Sequence, residues 1–385
     1  MSIPGHPFLF AVSLFEQSVR LCYTRFIMKQ IKTKSILALI LCAAMILALC
    51  ACGTDFEDGS TDTSEAHKQF FAMDTIMTIT AYGKGGDEGV ENVVAEITAL
   101  DNLLDPALEN STVHMINRAN GSSIQVSDEI LAMLSKAQEV YSSTGGALDL
   151  STYPLSQLWG FIDLDTENHE EGNIPSEEEI QQKLDLLCFD SITVDDHNVS
   201  IPSGSAISFG AVAKGYASDA AVAMLKDSGV NSAIVSLGGN VQTLGDQKPD
   251  GSLWNVAIQD PNSSDDYLGI LQVGETAVIT SGSYERYFEK DGVRYHHIID
   301  PKTGKPADND LVSVTIVCDS GLTADALSTA MFVLGSEGAI EYWRNHAEEF
   351  QMILVTKDNQ ALYTPGLVES FNKTNDNYTA SVIDQ

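Results

Sequence analysis

Basic residues are scarce in this sequence of 385 residues, and the shortage limits what the protein can bind. Only 21 residues are Lys or Arg, against 54 Asp and Glu, which gives a formal net charge of −33 at pH 7. Because so acidic a surface repels phosphate backbones, general nucleic-acid binding is excluded. Cysteine is also rare, with six residues in the chain, which is far below the content of a disulfide scaffold.

Several catalytic signatures are absent as well. The sequence contains no GxxxxGKS/T, no HExxH, no paired CxxC and no GxSxG, so it lacks the parts of P-loop NTPases, zinc proteases and serine hydrolases. Hydrophobic residues make up 44% of the chain, which is enough for a real core and excludes a wholly disordered protein. The chemistry must therefore lie in polar clusters within a folded body.

The N-terminal region has the pattern of a lipoprotein signal. Met28 is followed by three lysines and a nearly unbroken apolar run, and the segment Leu49–Cys52 fits a lipobox. We expect residues 1–51 to be a signal peptide, Cys52 to carry the lipid, and Met28 to be the true start. The alternatives are lipidation at Cys50 and an uncleaved anchor, since apolar runs of this length are ambiguous.

Three regions are predicted after the signal. Residues 52–68 are polar and acidic and predict a flexible tether, residues 69–368 predict one catalytic domain, and residues 369–385 predict a polar, frayed tail. The lipid anchor would hold the protein at the extracytoplasmic face of the cell membrane. In the folded part, Cys188 and Cys318 are predicted to be buried thiols, with a single disulfide as the alternative.

The catalytic domain has a mixed order of elements. A run rich in β-branched residues, Phe71–Tyr82, predicts a strand, and helical spacing of apolar residues predicts helices over Asp87–Leu104 and Thr323–Leu334. Ser176 and Glu179 have the spacing of a capping box. Because strands and helices do not alternate regularly, we predict an α+β fold rather than a doubly wound sheet.

Two polar clusters have the chemistry of an ion site. Asp325 and Thr329 are four residues apart, so on a helix they share one face and offer hard oxygen ligands suited to Mg²⁺. The alternative is an ordinary first helical turn, with Thr323 as N-cap. In the second cluster, Lys214 stands at a helix start flanked by glycines, a pattern that favours the binding of an anion. The alternative is that the glycines only allow a tight connection between a strand and the helix.

A third cluster contains two adjacent histidines. In a strand, His296 and His297 point to opposite faces, so at most one of them faces a given site, where it can act as a general base. The alternative is one exposed and one core histidine. A fourth cluster, Gly146–Asp149, is followed by Trp159 and Phe161, which are predicted to belong to the core.

Taken together, the clusters resemble the ApbE family of FAD:protein FMN transferases, from about Phe71 to about Gly335. The matching segments are Phe71–Thr75, Gly146–Phe161, Gly210–Asp219, Ser236–Asn240, Ser281–Arg286, His297–Gly304 and Ala324–Ala330. The resemblance implies a T-fold-like α+β architecture that binds FAD and Mg²⁺. It implies transfer of the FMN half of FAD to a Ser or Thr hydroxyl of a target flavoprotein, with release of AMP. A subunit of a membrane redox complex is the expected target.

The resemblance also implies roles for individual residues. Asp325 and Thr329 would be side-chain ligands of Mg²⁺, and Ala217 would supply a backbone carbonyl to the same ion. His297 matches the histidine that helps to activate the acceptor hydroxyl. The residues that would line the FAD site are Met73, Ala147, Leu148, Asp149, Lys214 and Ile299.

Two departures from the family pattern leave other functions open. Asp74 stands where the family has a glycine, and Leu103–Leu108 contains no aromatic residue on which the flavin ring could stack. Weaker binding of the ring favours hydrolysis, so a Mg²⁺-dependent FAD pyrophosphatase that yields FMN and AMP is one alternative. A non-catalytic flavin-binding lipoprotein is the other, and it would require a broken metal or histidine site.

Overall fold

A long, mostly antiparallel sheet runs through the computed structural model, which describes residues 64–162, 164 and 172–384. In chain order the strands are β1 (Glu65–Ala72), β2 (Thr75–Tyr82), β3 (Ile124–Gln125), β4 (Thr193–Asp195), β5 (Asn198–Ser200), β6 (Ser232–Leu237), β7 (Asn240–Leu244), β8 (Trp254–Asp260), β9 (Ser263–Val273), β10 (Ala277–Gly282), β11 (Tyr287–Lys290), β12 (Val293–His296), β13 (Ile299–Asp300), β14 (Lys305–Pro306), β15 (Leu311–Cys318), β16 (Gln351–Thr356), β17 (Gln360–Tyr363), β18 (Phe371–Lys373) and β19 (Thr379–Val382). The helices are α1 (Gly86–Leu104), α2 (Thr112–Arg118), α3 (Asp128–Ser143), α4 (Tyr153–Trp159), α5 (Glu177–Leu184), α6 (Ala213–Asp227) and α7 (Gly321–Asn345). The irregular mixture of the two confirms the predicted α+β class.

The central sheet has nine strands in the order β1-β2-β6-β7-β10-β15-β16-β17-β19. Met77, Leu237, Asn240, Ile279 and Ile316 pair directly across neighbouring strands and therefore share one face of the sheet. Helices α1, α6 and α7 bury their apolar sides on this face. Asn240 is thus a polar residue in an otherwise apolar row, and it faces the helix layer.

The opposite face of the central sheet is partly covered by a second sheet, in the order β18-β9-β8. Trp254, Val256 and Leu271 of the second sheet pack with Val278 and Val317 of the central sheet. The fold therefore has three layers: helices, central sheet and second sheet. Lys214, on α6, and Asp325, on α7, both lie in the helix layer.

The predicted strand Phe71–Tyr82 is two strands in the structure. Met73 and Asp74 have left-handed backbone angles, with φ of 47° and 59°, and they reverse the chain so that Ala72 pairs with Thr75. A two-residue turn with two left-handed positions matches the twist of the flanking strands. This turn places Met73 and Asp74 at the tip of a hairpin instead of inside a strand.

Both segments predicted to be flexible belong to sheets over part of their length. β1 begins at Glu65, so the tether predicted over residues 52–68 ends earlier, and Ala66 is buried against α1. The predicted tail, residues 369–385, supplies β18, which pairs with β9, and β19, which runs parallel to β17. Tyr378 and Ile383 anchor it in the interior. The tether prediction is therefore wrong for residues 65–68, and the tail prediction is wrong for β18 and β19, because short edge strands are polar on average.

Helix α7 extends beyond the predicted Thr323–Leu334 at both ends. Its N-cap is Ser320, whose hydroxyl accepts from the Thr323 N–H at 3.2 Å, so the alternative with Thr323 as N-cap is wrong. Gly335 has a non-helical backbone, with φ 74° and ψ 173°, and interrupts the helix. The predicted C-terminal end therefore coincides with a real break, after which a second helical stretch follows.

The predicted capping box, core aromatic residues and buried thiols are all present in the structure. Ser176 and Glu179 form the predicted capping box, and Trp159 and Phe161 are buried. Within the described residues, Cys188 and Cys318 are buried and unpaired, and no helix is long and apolar enough to cross a membrane. The predicted signal peptide, the predicted lipid-bearing cysteine and residues 53–63 lie outside the described part of the chain.

Candidate active site

Asp325 lies at the crossing of α6 and α7 and is buried, with 4% of its surface exposed. Its Oδ2 accepts a hydrogen bond of 2.8 Å from the Gly215 N–H in the first turn of α6. Burial raises the pKa of Asp325, while Lys214, the Asn240 amide and the Gly215 N–H oppose that rise. The bond from Gly215 is the one well-formed hydrogen bond that the carboxylate accepts among the described residues, with the Asn240 amide as a weaker neighbour, so Asp325 keeps the capacity for another ligand.

Asn240 is the second sign of an incomplete site. Its side chain is 1% exposed, and its Nδ2 makes no well-formed hydrogen bond with any described residue, although the amide lies beside the Asp325 carboxyl. A buried amide donor without a partner is costly. Because the Asn240 amide reaches the Asp325 carboxyl without a well-formed hydrogen bond, both side chains keep polar capacity that a bound group could use.

Thr329 lies one helical turn after Asp325 and is partly exposed. Ser328 is turned away from the site and donates to the Asp325 carbonyl at 2.9 Å, and Ser281 lies 2.8 Å from Ser328 and 3.4 Å from Thr329. Because Ser328 uses its proton on the main chain, Ser281 must donate to Ser328. The Thr329 oxygen therefore keeps a free lone pair on the same helix face as Asp325.

The role of Ala217 as a metal ligand stays a prediction, which its position inside α6 does not favour. Ala217 is fully buried inside α6, where the helical hydrogen-bond pattern uses its carbonyl, and helix carbonyls point away from the N-terminal turn that Asp325 contacts. Ala211 is the better candidate. In a regular helix the Gly215 N–H would bond to the Ala211 carbonyl, but here it donates to Asp325. The Ala211 oxygen is therefore left without a donor among the described residues, at the start of the helix whose first turn Asp325 contacts.

The donor set fits Mg²⁺ but is weak on its own. The described residues contain no group of three or more His, Cys, Asp or Glu side chains that could hold a metal. One carboxylate, one hydroxyl and one carbonyl are hard oxygen donors, which Mg²⁺ prefers. Since they supply one negative charge and few ligands, further oxygen atoms from a phosphate would be needed to complete the shell.

Two cationic side chains, Lys214 and Arg286, lie near the residues of this site. Lys214, one residue before Gly215, is close enough to lower the pKa values of Asp325 and His297. Arg286 forms an ion pair of 3.2 Å with Asp74 at the hairpin tip. Asp74, which replaces the family glycine, thus pairs with the side chain of Arg286, a residue that the sequence analysis did not name as part of the site. The matched segment Ser281–Arg286 was the available signal for it.

His297 follows directly after β12, which ends at His296, so it lies beyond the strand and not within it. Its N–H and its Nδ1 face the Arg286 carbonyl at 3.0 and 3.2 Å. Because a carbonyl only accepts, Nδ1 carries the proton and Nε2 has the lone pair. Burial lowers the pKa of His297 to about 3, with further lowering from His296, Arg286 and Lys214. The ring is therefore neutral at pH 7, with Nε2 ready to accept a proton.

His296 has a different environment. Its side chain is 7% exposed, its Nε2 donates to the Ala307 carbonyl at 3.1 Å, and its ring packs edge-on against Phe332. Burial lowers the pKa of His296 to about 4. His296 is a core histidine, and His297 is the member of the pair that lies near Lys214.

The predicted FAD-lining residues fall into two groups. Met73 is partly buried and packs against both hydrophobic clusters of the helix layer. Ala147, Leu148 and Ile299 are buried in the core, so only their backbone groups are available for a ligand. Asp149 accepts from the Ser151 N–H at 2.7 Å and from the Ser151 hydroxyl at 2.5 Å; burial raises its pKa. Its carboxylate is thus engaged in holding its own loop.

The loop that carries Asp149 is tied to the loop before α6. The Ser208 N–H donates to the Leu150 carbonyl at 3.0 Å. Asn117 clamps the same loop, because its amide bonds to both the N–H and the carbonyl of Ile207, at 2.8 and 2.9 Å. The structure therefore brings the Gly146–Asp149 segment against the loop that leads to Lys214.

Comparisons with known proteins identify the family of this chain. The sequence model of the ApbE family matches residues 73–354. An FAD:protein FMN transferase from Klebsiella pneumoniae is 33% identical over 284 residues, covering 72% of this chain and 85% of the relative. One from Vibrio cholerae is 32% identical over 249 residues, covering 64% of this chain and 73% of the relative.

Solved structures show the same fold. The ApbE protein from Thermotoga maritima superimposes with a TM-score of 0.69 at 30% identity, covering 81% of this chain and 97% of that one. The apo flavinyl transferase ApbE from Pseudomonas stutzeri gives 0.68 at 29% identity, covering 81% and 95%. The predicted ApbE architecture is confirmed, and the chain belongs to the ApbE family.

Proposed function

We propose that this enzyme transfers the FMN half of FAD to a Ser or Thr hydroxyl of a target flavoprotein, with Mg²⁺ as cofactor and AMP as the second product. One observation carries the proposal: Lys214 lies near enough to act electrostatically on both a neutral histidine with a free Nε2, His297, and an under-satisfied carboxylate, Asp325. A base, a metal ligand and a phosphate-binding cation are the parts that phosphoryl transfer requires.

The residues proposed to hold Mg²⁺ are Asp325, Thr329 and the carbonyl of Ala211, with phosphate oxygens completing the shell. When bound, the ion would neutralise charge on the pyrophosphate and on the departing AMP phosphate. Lys214 supplies a second positive charge at the same place. In a protein this acidic, these local cations are what make binding of an anionic dinucleotide favourable.

His297 is proposed to remove the proton of the acceptor. The hydroxyl oxygen attacks the FMN phosphorus, the bond between that phosphorus and the bridging oxygen breaks, and AMP leaves with the bond's electron pair. The hydroxyl proton passes to Nε2, whose orientation is fixed because Nδ1 donates to Arg286. Burial and, to a smaller extent, neighbouring cations lower the pKa of His297. The incoming phosphates carry the opposite charge to these cations, so substrate binding would raise the pKa.

FAD hydrolysis is the second candidate, because it uses the same parts with water in place of the hydroxyl. The observation that favours it is the lack of an aromatic residue over Leu103–Leu108, where Leu108 is 39% exposed. A loosely held ring would admit water to the phosphorus. The non-catalytic alternative requires a damaged site, whereas Asp325, Thr329 and His297 are all present in the sequence.

We also propose a lipid anchor at Cys52, residence on the extracytoplasmic face of the membrane, and a target within a membrane redox complex. The support is the basic segment, apolar run and lipobox of the sequence. Replacing Cys52 by Ala should abolish lipidation; transfer of the lipid to Cys50 in that variant would contradict the assignment.

The function is tested by incubating the protein with FAD, Mg²⁺ and a flavoprotein subunit of a membrane ion-pumping oxidoreductase. Transferase activity predicts that the subunit gains the mass of one esterified FMN and that AMP appears in equal amount. Free FMN and AMP without a mass gain would indicate a pyrophosphatase. Intact FAD after full incubation would contradict both enzymatic proposals.

A further inference from the structure

The two helices that meet at the site begin with the same pattern. Gly215 and Asp219 in α6 are four residues apart, and so are Gly321 and Asp325 in α7. In each pair the glycine lies in the first helical turn and the aspartate follows one turn later. The pattern GxxxD therefore occurs twice, once in each of two helices that pack against one another.

The two glycines are where the helices approach most closely. A Cβ atom built on Gly215 would lie 2.3 Å from the Gly321 carbonyl oxygen, and one built on Gly321 would lie 2.6 Å from the Gly215 carbonyl oxygen. Any side chain at either position would force the main chains apart. Glycine is required here for close approach of two backbones.

Each aspartate caps the other helix. Asp325 accepts from the Gly215 N–H at 2.8 Å, and Asp219 accepts from the Gly321 N–H at 2.7 Å and the Leu322 N–H at 3.0 Å. The first N–H groups of a helix have no partner within it, and a carboxylate is favoured there. The two GxxxD segments thus form a reciprocal clasp, which we define as Gly215, Asp219, Gly321 and Asp325.

The two aspartates differ in how fully they are used. Asp219 also accepts from the Ser320 hydroxyl at 2.9 Å and from the Gln242 amide at 2.9 Å, so four donors saturate its two oxygens. Asp325 has one well-formed hydrogen bond. The clasp therefore holds α7 through Asp219 and leaves the carboxylate of Asp325 available.

We propose that Asp219 is a positioning residue for the cation site. It fixes the first turn of α7, and through that turn it sets where Asp325 and Thr329 stand relative to the loop that carries Lys214 and Ala211. Asp219 does not contact the ion or FAD. The proposal rests on the Mg²⁺ site of the proposed function, and it concerns the geometry of that site.

Asp219→Asn is the sharpest variant, because it keeps the shape and replaces one acceptor oxygen by an NH₂ group. That group would face N–H donors that need an acceptor, so the first turn of α7 must shift. We expect the Mg²⁺ concentration for half-maximal transfer to rise about 10-fold, as it does when groups that orient metal ligands are changed. The maximal rate at saturating Mg²⁺ should stay within about threefold of wild type, since the ligands themselves are intact.

Asp310→Asn is the matched control. Asp310 caps the second stretch of the same helix, where it accepts from the Ser336 N–H at 3.1 Å and from the Ser336 hydroxyl at 2.5 Å. It should lower the melting temperature without changing the Mg²⁺ requirement. Ser320→Ala, which removes one donor to Asp219, is a milder variant that should raise the Mg²⁺ requirement about two- to threefold.

A readout independent of turnover is the melting temperature as a function of MgCl₂ at fixed FAD, which reports binding by linkage. The midpoint of that curve should move with Asp219→Asn and stay in place with Asp310→Asn. Equal midpoints for wild type and Asp219→Asn, with a lower melting temperature alone, would overturn the proposal and leave Asp219 a plain helix cap. If the wild-type protein shows neither transfer nor a Mg²⁺ response, the proposed function fails instead.

Discussion

Two buried aspartates, Asp260 and Asp325, show how differently this protein treats the same side chain. Each is 4% exposed. Asp260, at the end of β8, accepts from the Tyr378 hydroxyl, from the Asn375 amide at 2.7 Å and from the Asn262 N–H at 2.9 Å. Asp325 accepts one well-formed hydrogen bond and lies beside an amide donor without a partner.

The difference separates a structural carboxylate from a functional one. Asp260 accepts three hydrogen bonds, and two of them come from Asn375 and Tyr378 in the C-terminal segment, so they fasten that segment onto the second sheet. A carboxylate buried with free acceptor capacity is unfavourable unless something else binds it. Asp325 is therefore expected to matter for binding and catalysis, and Asp260 for stability.

The strongest test of this contrast is Asp325→Asn. The asparagine can still accept from Gly215, so the fold should persist, while the loss of the negative ligand should reduce Mg²⁺-dependent transfer by at least about 1,000-fold. The melting temperature should stay close to that of wild type. Near-wild-type transfer with a clearly lowered melting temperature would instead make Asp325 a structural helix cap.

The next largest effect is expected at His297. Removing the general base in His297→Ala should slow flavin transfer about 10²- to 10⁴-fold. FAD affinity should change little, because metal ligands and Lys214 hold the phosphates. Single-turnover transfer and flavin fluorescence measure the two quantities separately.

His296→Ala is the matched control for that variant. It empties a packed position against Phe332 and should reduce the free energy of unfolding, with the transfer rate largely retained below the melting temperature. If His296→Ala loses transfer while His297→Ala retains it, the assignment of the base is wrong.

Asp260→Asn should have an effect on stability alone. In this variant an amide NH₂ group would face a donor of Tyr378, Asn375 or Asn262, and neither group could accept the hydrogen bond. We therefore expect a loss of about 1–3 kcal/mol in the free energy of unfolding. Urea denaturation measures this loss, and the Mg²⁺ requirement and transfer rate should be unchanged. A rate defect in the folded variant would show that the C-terminal segment participates in the site.

The smallest expected effect is a pH dependence from the core histidine. Burial lowers the pKa of His296 to about 4, below its ordinary value near 6.5. As the pH falls, the unfolded chain therefore binds a proton at this histidine before the folded protein does. The contribution of the neutral His296 to the free energy of unfolding is complete above about pH 6.5 and is lost as the pH falls toward 4.

His296→Gln tests this linkage, since the glutamine amide can still donate to the Ala307 carbonyl. The difference in the free energy of unfolding between pH 7 and pH 5 should be smaller in the variant than in wild type. An unchanged difference would assign the acid sensitivity to other groups.

Residues whose side chains carry recognisable chemistry could be predicted from the sequence more readily than backbone ligands could. Asp325, Thr329, Lys214 and His297 carry side chains with recognisable chemistry in segments that match a family, and the structure brings them to one region. Ala217 stays a less certain prediction than these four residues, because a carbonyl ligand has no side-chain signature. Which carbonyl is free to bind an ion depends on where α6 begins. The Gly215 N–H bonds to Asp325 instead of to the carbonyl four residues earlier, and the sequence alone does not show this.

Long-range partners were beyond sequence reasoning. The hydrogen bond between Tyr378 and Asp260 joins residues 118 positions apart, and nothing local marks either residue as buried. The reciprocal clasp has the same character: GxxxD is common, and only the packing of α6 on α7 gives it meaning. The α+β class and the main helices were accessible because apolar periodicity is a local signal.

The central claim, that Asp325 is left under-satisfied in order to bind a divalent cation, is tested most directly by anomalous diffraction from a crystal soaked with Mn²⁺ and FAD. The account predicts a Mn²⁺ peak in contact with Asp325 Oδ1, Thr329 Oγ1 and the carbonyl oxygen of Ala211, with FAD phosphate oxygens completing the shell. A peak bound elsewhere, with Asp325 making only its hydrogen bond to Gly215, would contradict it.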